Sequence, residues 1–401
     1  MSVRRKTAGA VVAIMVSIAA CSSPVAEVSD GALRAIVERD GIAFNEASIP
    51  EAVLDRLAEH DVVLLGETHH LREHWALVAV LASDLHDRGF RQLLIEAPHM
   101  ASWLLDDYVQ GSPLAPEWEV PPFYERRLSA IRMLNETLPR GDRVHVRGID
   151  ANEEWYGGAR DFHLLFGWVV DLLPGSGPLD PFLGMDYAQA SASAKTQAVE
   201  AALRSLEADR VSLRGAWGVE NYEHVAEMLE VELASVDIRT TRIDDDNDGA
   251  RAREQVIKHL ADERIDECAC RTLINIGGHH AQKSHLMGTD QEWMGDYLAH
   301  TSEVVNGSIF VVELSSAKTS LEPGAGGTPW DILDSKSPAN ELLRVMAETW
   351  PDENVFLPLD DALFADRTVA FNSEDVIYIT ALKNQFDAVI QYGSANRMPV
   401  D

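Results

Sequence analysis

The sequence is poor in thiols, poor in basic side chains, and without several common catalytic signatures. Three cysteines in 401 residues are too few for a thiolate metal centre. Lysine and arginine number 34 against 65 aspartates and glutamates, a formal charge of −31. That balance argues against nucleic-acid binding and against a polybasic membrane-surface patch, and its plainest consequence is solubility. A Gly-x-Ser-x-Gly elbow, a phosphate loop and a dinucleotide fingerprint are all missing. Their absence weakens the serine-hydrolase, P-loop and dehydrogenase readings. Beyond the first 20 residues no apolar run is long enough to span a bilayer.

What is present begins with a leader. Arg4-Arg5-Lys6 precedes a short apolar stretch from Ala8 to Ala20, the pattern of a secretory signal. It ends in Ile18-Ala19-Ala20-Cys21, which resembles a bacterial lipobox. That resemblance implies cleavage before Cys21, lipidation of its thiol and a tether to the cell envelope. Ser22 and Ser23 after the cysteine favour the outer membrane in a diderm cell. Residues 21–50 then read as a tether and a first amphipathic helix. Cys268 and Cys270 read as structural, with a disulfide across one intervening residue a strained alternative.

The remainder, with 46% hydrophobic residues, is long enough for a sizeable core. Strand-like runs occur at Val62–Leu65, Gln92–Ile95, Val144–Ile149, Leu273–Ile276, Ile309–Leu314, Val376–Ile379 and Ala388–Ile390. Between the first two, Trp75, Leu77, Val78, Leu81 and Leu85 recur at helical spacing. Strand–helix–strand order of this kind gives parallel strands with crossover helices. Asp186–Asp209, Trp217–Arg239 and Ala250–Glu263 are rich in helix formers. The expectation is therefore an α/β fold: a central, mostly parallel β-sheet flanked by helices over residues 51–395, with an inserted helical lobe at about 157–265.

Three of these runs end in glutamate or histidine. The first leads into Gly66-Glu67-Thr68-His69-His70, the second into Glu96, the fourth into Gly277-Gly278-His279-His280. Ligands in open α/β sheets sit beyond the carboxyl ends of the strands, so convergence there points to a site. A glutamate can orient an imidazole and raise its basicity. The third run ends in Asp150. Glu96 and Asp150 can alternatively be helix caps. Arg72 and Glu73, in the first turn of the following helix, either reach the same pocket or are merely exposed. His74 and His86 read as packing or solvated residues. The glutamates and histidines could also hold a metal, although no standard short zinc motif is present. Asp244-x-Asp246-x-Asp248-Gly249 matches half of a calcium loop but has Gln255 at the last ligand position; an acidic helix start is the simpler account.

Taken in order, several short motifs resemble the erythromycin esterase-like and ChaN-like superfamily. They are Leu65–His70, Gly89-Phe90, Ile95-Glu96, Val146–Asp150, Ala250–Glu254, Gly278–His280, Met287-Gly288 and Phe386–Ile390, together covering roughly residues 55–392. The esterase branch implies hydrolysis of a lactone by a histidine acting as general base on water, with a glutamate at the next strand end and a late histidine completing the site. Carried onto this chain, Glu67 and Glu96 match. The base is His69 or His70, and the late histidine is His280 or His279. Arg253 falls where the family has an Arg-Asp pair, but Glu254 replaces the aspartate. The ChaN-like branch implies instead a lipidated haem-binding protein without catalysis. The expected activity is hydrolysis of a small-molecule ester or lactone with no required cofactor, with Arg72, Glu73, Asp150, Arg253 and His279 around the substrate. A haem-binding lipoprotein and a metal-dependent hydrolase are the alternatives.

Overall fold

The computed structural model describes residues 30–45, 48–112, 120, 122–152, 162–175, 177–244, 246–285, 291–335, 340–366, 368–373 and 376–399. The leader, Cys21 and the Met287-Gly288 pair lie outside them. Twelve strands are described: β1 (Ile42–Phe44), β2 (Val62–Glu67), β3 (Phe90–Pro98), β4 (His145–Asp150), β5 (Arg271–Gly277), β6 (Ile309–Ser316), β7 (Thr319–Leu321), β8 (Asn354–Pro358), β9 (Thr368–Ser373), β10 (Val376–Ala381), β11 (Ala388–Tyr392) and β12 (Ala395–Arg397). Eight of them form one sheet in the order β1-β8-β11-β6-β2-β5-β3-β4. From β4 to β11 every neighbouring pair is parallel; β8 runs antiparallel to both β11 and β1.

The sheet is covered on both faces, which is why its strands read as continuous apolar runs. Along β2, Val63 and Leu65 enter one core and Val62 and Leu64 the other. Helices α1 (Asp30–Asp40), α2 (Glu51–Leu57), α3 (Arg72–Asp84), α4 (Ser102–Gln110) and α5 (Pro122–Thr137) precede β4. Between β4 and β5 come α6 (Phe162–Asp171), α7 (Asp180–Leu183), α8 (Ala192–Ala208), α9 (Arg210–Trp217), α10 (Val219–Asp244) and α11 (Asp246–Cys268). Helix α10 packs on α8 and α11, and α11 returns the chain to β3, β4 and β5. After β5 follow α12 (Gly278–Ala281) and α13 (Met294–His300). No helix among the described residues is long and apolar enough to cross a membrane.

Several details settle or correct the sequence expectations. The Val376–Ile379 run is a strand, yet β10 pairs with β9 in a separate two-stranded sheet; a short connection makes that local hairpin the easier pairing. Asp246 opens α11 and Gly249 lies within it, so this stretch is an acidic helix start and not a calcium loop. Cys268 and Cys270 are joined as a disulfide.

The end of β3 departs from regular pairing. Its register against β4 shifts between Ile95 and Pro98. The bulged backbone presses on Gly148, where a Cβ would lie 2.5 Å from the Ala97 carbonyl oxygen and 2.8 Å from that of Pro98. Only glycine lets the two strands approach this closely. Gly148→Ala is therefore expected to cost about 1–3 kcal/mol of stability in urea denaturation, and an unchanged midpoint would contradict this packing.

Candidate active site

Topology brings the titratable strand ends together. Strand β5 is inserted between β2 and β3, so Gly277 stands between Glu67 and Glu96 although some 180 residues separate it from Glu96. All three strands are parallel, and their carboxyl ends share one edge.

Glu67 is 5% exposed and closes β2. Its Oε1 accepts a hydrogen bond from His69 Nδ1 at 3.1 Å. That bond places the neutral ring's proton on Nδ1 and leaves Nε2 as the basic atom. His69 Nε2 lies 3.7 Å from Glu96 Oε2. Its ring is 39% exposed, enough to meet a ligand. Burial disfavours the imidazolium, but Glu67 and Glu96 outweigh it and raise the His69 pKa above 6.5.

Glu96 is the hub of the cluster. Its Oε2 accepts from the Gly277 amide at 2.8 Å and its Oε1 from Arg253 Nη2 at 2.6 Å. His280 Nε2 stands 3.7 Å from Oε1. Burial opposes ionisation of this carboxyl, yet His280, Arg253 and His69 bring it down to about 2. Arg253 also donates to both oxygens of Asp150, from Nε at 2.8 Å and from Nη2 at 2.5 Å. Asp150 is thus an anchor for the guanidinium; it also accepts from the Ala151 amide.

The late histidine has its own carboxylate. His280 Nδ1 donates to Glu254 Oε2 at 2.5 Å, and Glu254 Oε1 accepts from the Met294 amide. Burial would lower the His280 pKa, but Glu254 reverses this and raises it. The substitution of glutamate beside Arg253 therefore supplies a partner for His280. His279 is exposed, its ring 6.0 Å from that of Trp293.

The other histidines and the Arg72-Glu73 pair have partners outside the Glu67–Glu96–His280 cluster. His70 adopts φ 67°, and its carbonyl accepts from the Met398 amide. Its ring, 5.9 Å from that of His69, is buried; burial, with Arg127, lowers its pKa to about 4. Arg72 pairs with Glu322 and with Glu73. Glu73 accepts from the Asn396 amide and side chain and so fastens β12. His74 is buried against Ser316, and His86 Nε2 bonds the Asp142 carbonyl.

One carboxyl was not anticipated. Glu313, on β6 opposite Gly66, places Oε2 against Gly66 and Gly278. Desolvation pushes it up to about 8. An acid inside the apolar run Val311-Val312-Glu313-Leu314 was the available signal.

No group of three or more His, Cys, Asp or Glu suited to a metal occurs among the described residues. Glu96 is bonded directly to a guanidinium, an unfavourable neighbour for a metal cation.

No family model and no curated protein sequence matches the chain. Solved structures do. A structural-genomics protein from Bacillus cereus aligns over 93% of this chain and 100% of its own, with 15% identity and a TM-score of 0.72. A succinoglycan biosynthesis protein aligns over 93% and 99%, with 12% identity and a TM-score of 0.69. A mutant of the erythromycin esterase EreC, in its open conformation, aligns over 87% and 95%, with 15% identity and a TM-score of 0.62. The chain shares its fold with these three structures. These likenesses establish the architecture, and the chemistry must be argued from the side chains.

At the Glu67–Glu96 cluster, Gly277 leaves no room for a side chain. A Cβ there would lie 2.8 Å from His69 Nε2 and 3.2 Å from Glu96 Oε2. Gly277→Ala should displace the His69 ring and lower the His69 pKa, read by NMR titration, while secondary structure by circular dichroism is retained. An unshifted His69 titration in that variant would contradict this packing.

Proposed function

We propose that the protein hydrolyses a carboxylic ester or lactone, with His69 as general base. The observation that carries this reading is the imidazole held between Glu67 and Glu96, with Nδ1 engaged and Nε2 directed toward the cluster. Water gives a proton to Nε2 as its oxygen bonds to the acyl carbon. Glu67 and Glu96 stabilise the imidazolium that forms. His280, held by Glu254, stands on the other side of Glu96 to stabilise negative charge on the acyl oxygen when it carries a proton. Collapse of the tetrahedral species breaks the C–O bond, and the leaving alkoxide takes the proton back from His69. The products are an acid and an alcohol, and no cofactor is required. Lipidation at Cys21 would place this activity at the envelope membrane; a small-molecule ester is the partner and nucleic acid is not.

The test is mass spectrometry of a panel of macrolides and simple esters after incubation with the chain from Ser22 onward. Addition of one water by the wild type is expected, with turnover reduced about 10²–10⁴-fold in Glu67→Gln. Because the base must be neutral, kcat/KM should rise with pH through a midpoint above 6.5. Removing the Glu67 charge should move that midpoint to lower pH. No product from any ester, or a red haem-containing protein whose Glu67→Gln variant is unaltered, would overturn the assignment; loss of turnover on chelation would favour a metal-dependent hydrolase.

A further inference from the structure

A cleft of about 980 Å³ opens beside the edge strand β4, between α4, α10 and α11, and shares no lining residue with the Glu67–Glu96–His280 cluster. Its lining holds eight carboxyls against two arginines and no lysine. Both arginines are already engaged. Arg147 pairs with Asp106 at 2.7 Å, and Arg264 pairs with Glu227 and with Glu267. Asp107, Glu220, Glu230 and Glu263 have no ion pair with lysine or arginine among the described residues. The half-buried Trp103 ring also lines the cleft and meets the His224 ring edge-on, centroids 5.4 Å apart.

We propose that this cleft is a second binding site, for a linear organic polycation of the polyamine class. The four carboxyls without a basic partner stand on three elements: Asp107 on α4, Glu220 and Glu230 on α10, Glu263 on α11. Negative charge is thus spread along the cleft, and ammonium groups spaced along a methylene chain match that spread better than one small ion. No group of three or more His, Cys, Asp or Glu suited to a metal occurs among the described residues. Trp103 offers a ring to an ammonium and to the methylenes beside it. Two acceptors in the lining also lack donors. Glu263 Oε2 and His99 Nδ1 are buried and have no hydrogen-bond partner among the described residues. His99 is 1% exposed, and its Nε2 faces Glu227 at 3.2 Å, so the neutral ring keeps its proton there and leaves Nδ1 to accept. Such atoms ordinarily find a partner in water or ligand. The volume falls within the range of small-molecule sites, about 300–1,000 Å³.

The electrostatics of the walls point the same way. Burial and the neighbouring Asp106 push the Asp107 carboxyl up, and burial and Glu227 do the same to Glu263. Like charges are therefore crowded out of water, and a bound cation relieves that crowding. Burial, with His99, pushes His224 down to about 4, so its ring adds no opposing charge near neutrality. The inference does not depend on the ester-hydrolase reading.

The experiment is titration of the full chain with spermine, read by calorimetry and tryptophan fluorescence, with magnesium as a compact cationic control. Spermine should bind saturably, at least about tenfold more tightly than magnesium, and more weakly as salt is raised. Glu263→Gln and Asp107→Asn each remove one charge with little change of shape and should each weaken spermine binding at least about fivefold. Trp103→Leu should weaken it as well. Glu59→Gln, at an exposed position outside the cleft, should leave it unchanged and so separates a site from general attraction to an acidic protein. Circular dichroism should be unaltered in all four variants. The proposal is overturned if spermine does not bind saturably, if magnesium binds as tightly, if Glu59→Gln weakens binding as much as Glu263→Gln does, or if binding persists undiminished in folded Glu263→Gln and Asp107→Asn.

Discussion

One buried guanidinium ties the ends of two adjacent strands together. Arg253, 12% exposed, reaches from α11 to Glu96 on β3 and to Asp150 on β4. Without it two carboxylates would lie side by side out of water. Removing one partner of such a network typically costs about 3–5 kcal/mol, because the charges left behind stay buried and unpaired. The pairing therefore fixes more than stability. It holds Glu96 ionised and immobile between His69 and His280, so both imidazoles are organised around a single anion.

The connectivity of the sheet does the rest. Strand β5 enters between β2 and β3, so a tight glycine at its end decides how closely His69 can approach Glu96. Helix α11 contributes twice from adjacent residues: Arg253 to Glu96 and Asp150, and Glu254 to His280. The same helix continues to Arg264, which pairs with Glu227 on α10 and with Glu267. Each end of α11 is thus committed to a different cluster of ionisable groups.

Much of the site was legible because buried strands leave a plain trace: an apolar run that stops at a charged residue. Glu67, Glu96, Asp150 and the His279-His280 pair all stood at such stops. Choosing between neighbours was beyond that logic. His69 and His70 differ by a backbone turn, and only the φ of 67° at His70 directs one ring to the carboxylates and the other toward Arg127. Glu73 was placed at the substrate by its position in the first helical turn, yet its partner is Asn396, 323 residues away. No local pattern carries that pairing. Glu254, read as a departure from the family pattern, turned out to face His280. The short β1 and the antiparallel β8 escaped notice because three to five apolar residues do not distinguish a strand from a buried turn.

Nitrogen-15 NMR titration of the histidine side chains tests the central claim most directly. The account predicts that neutral His69 carries its proton on Nδ1 and titrates above 6.5, while His70 stays neutral down to about 4. A His69 that titrates below 6.5, or a His70 that gains its proton near neutrality, would contradict the placement of the base between Glu67 and Glu96.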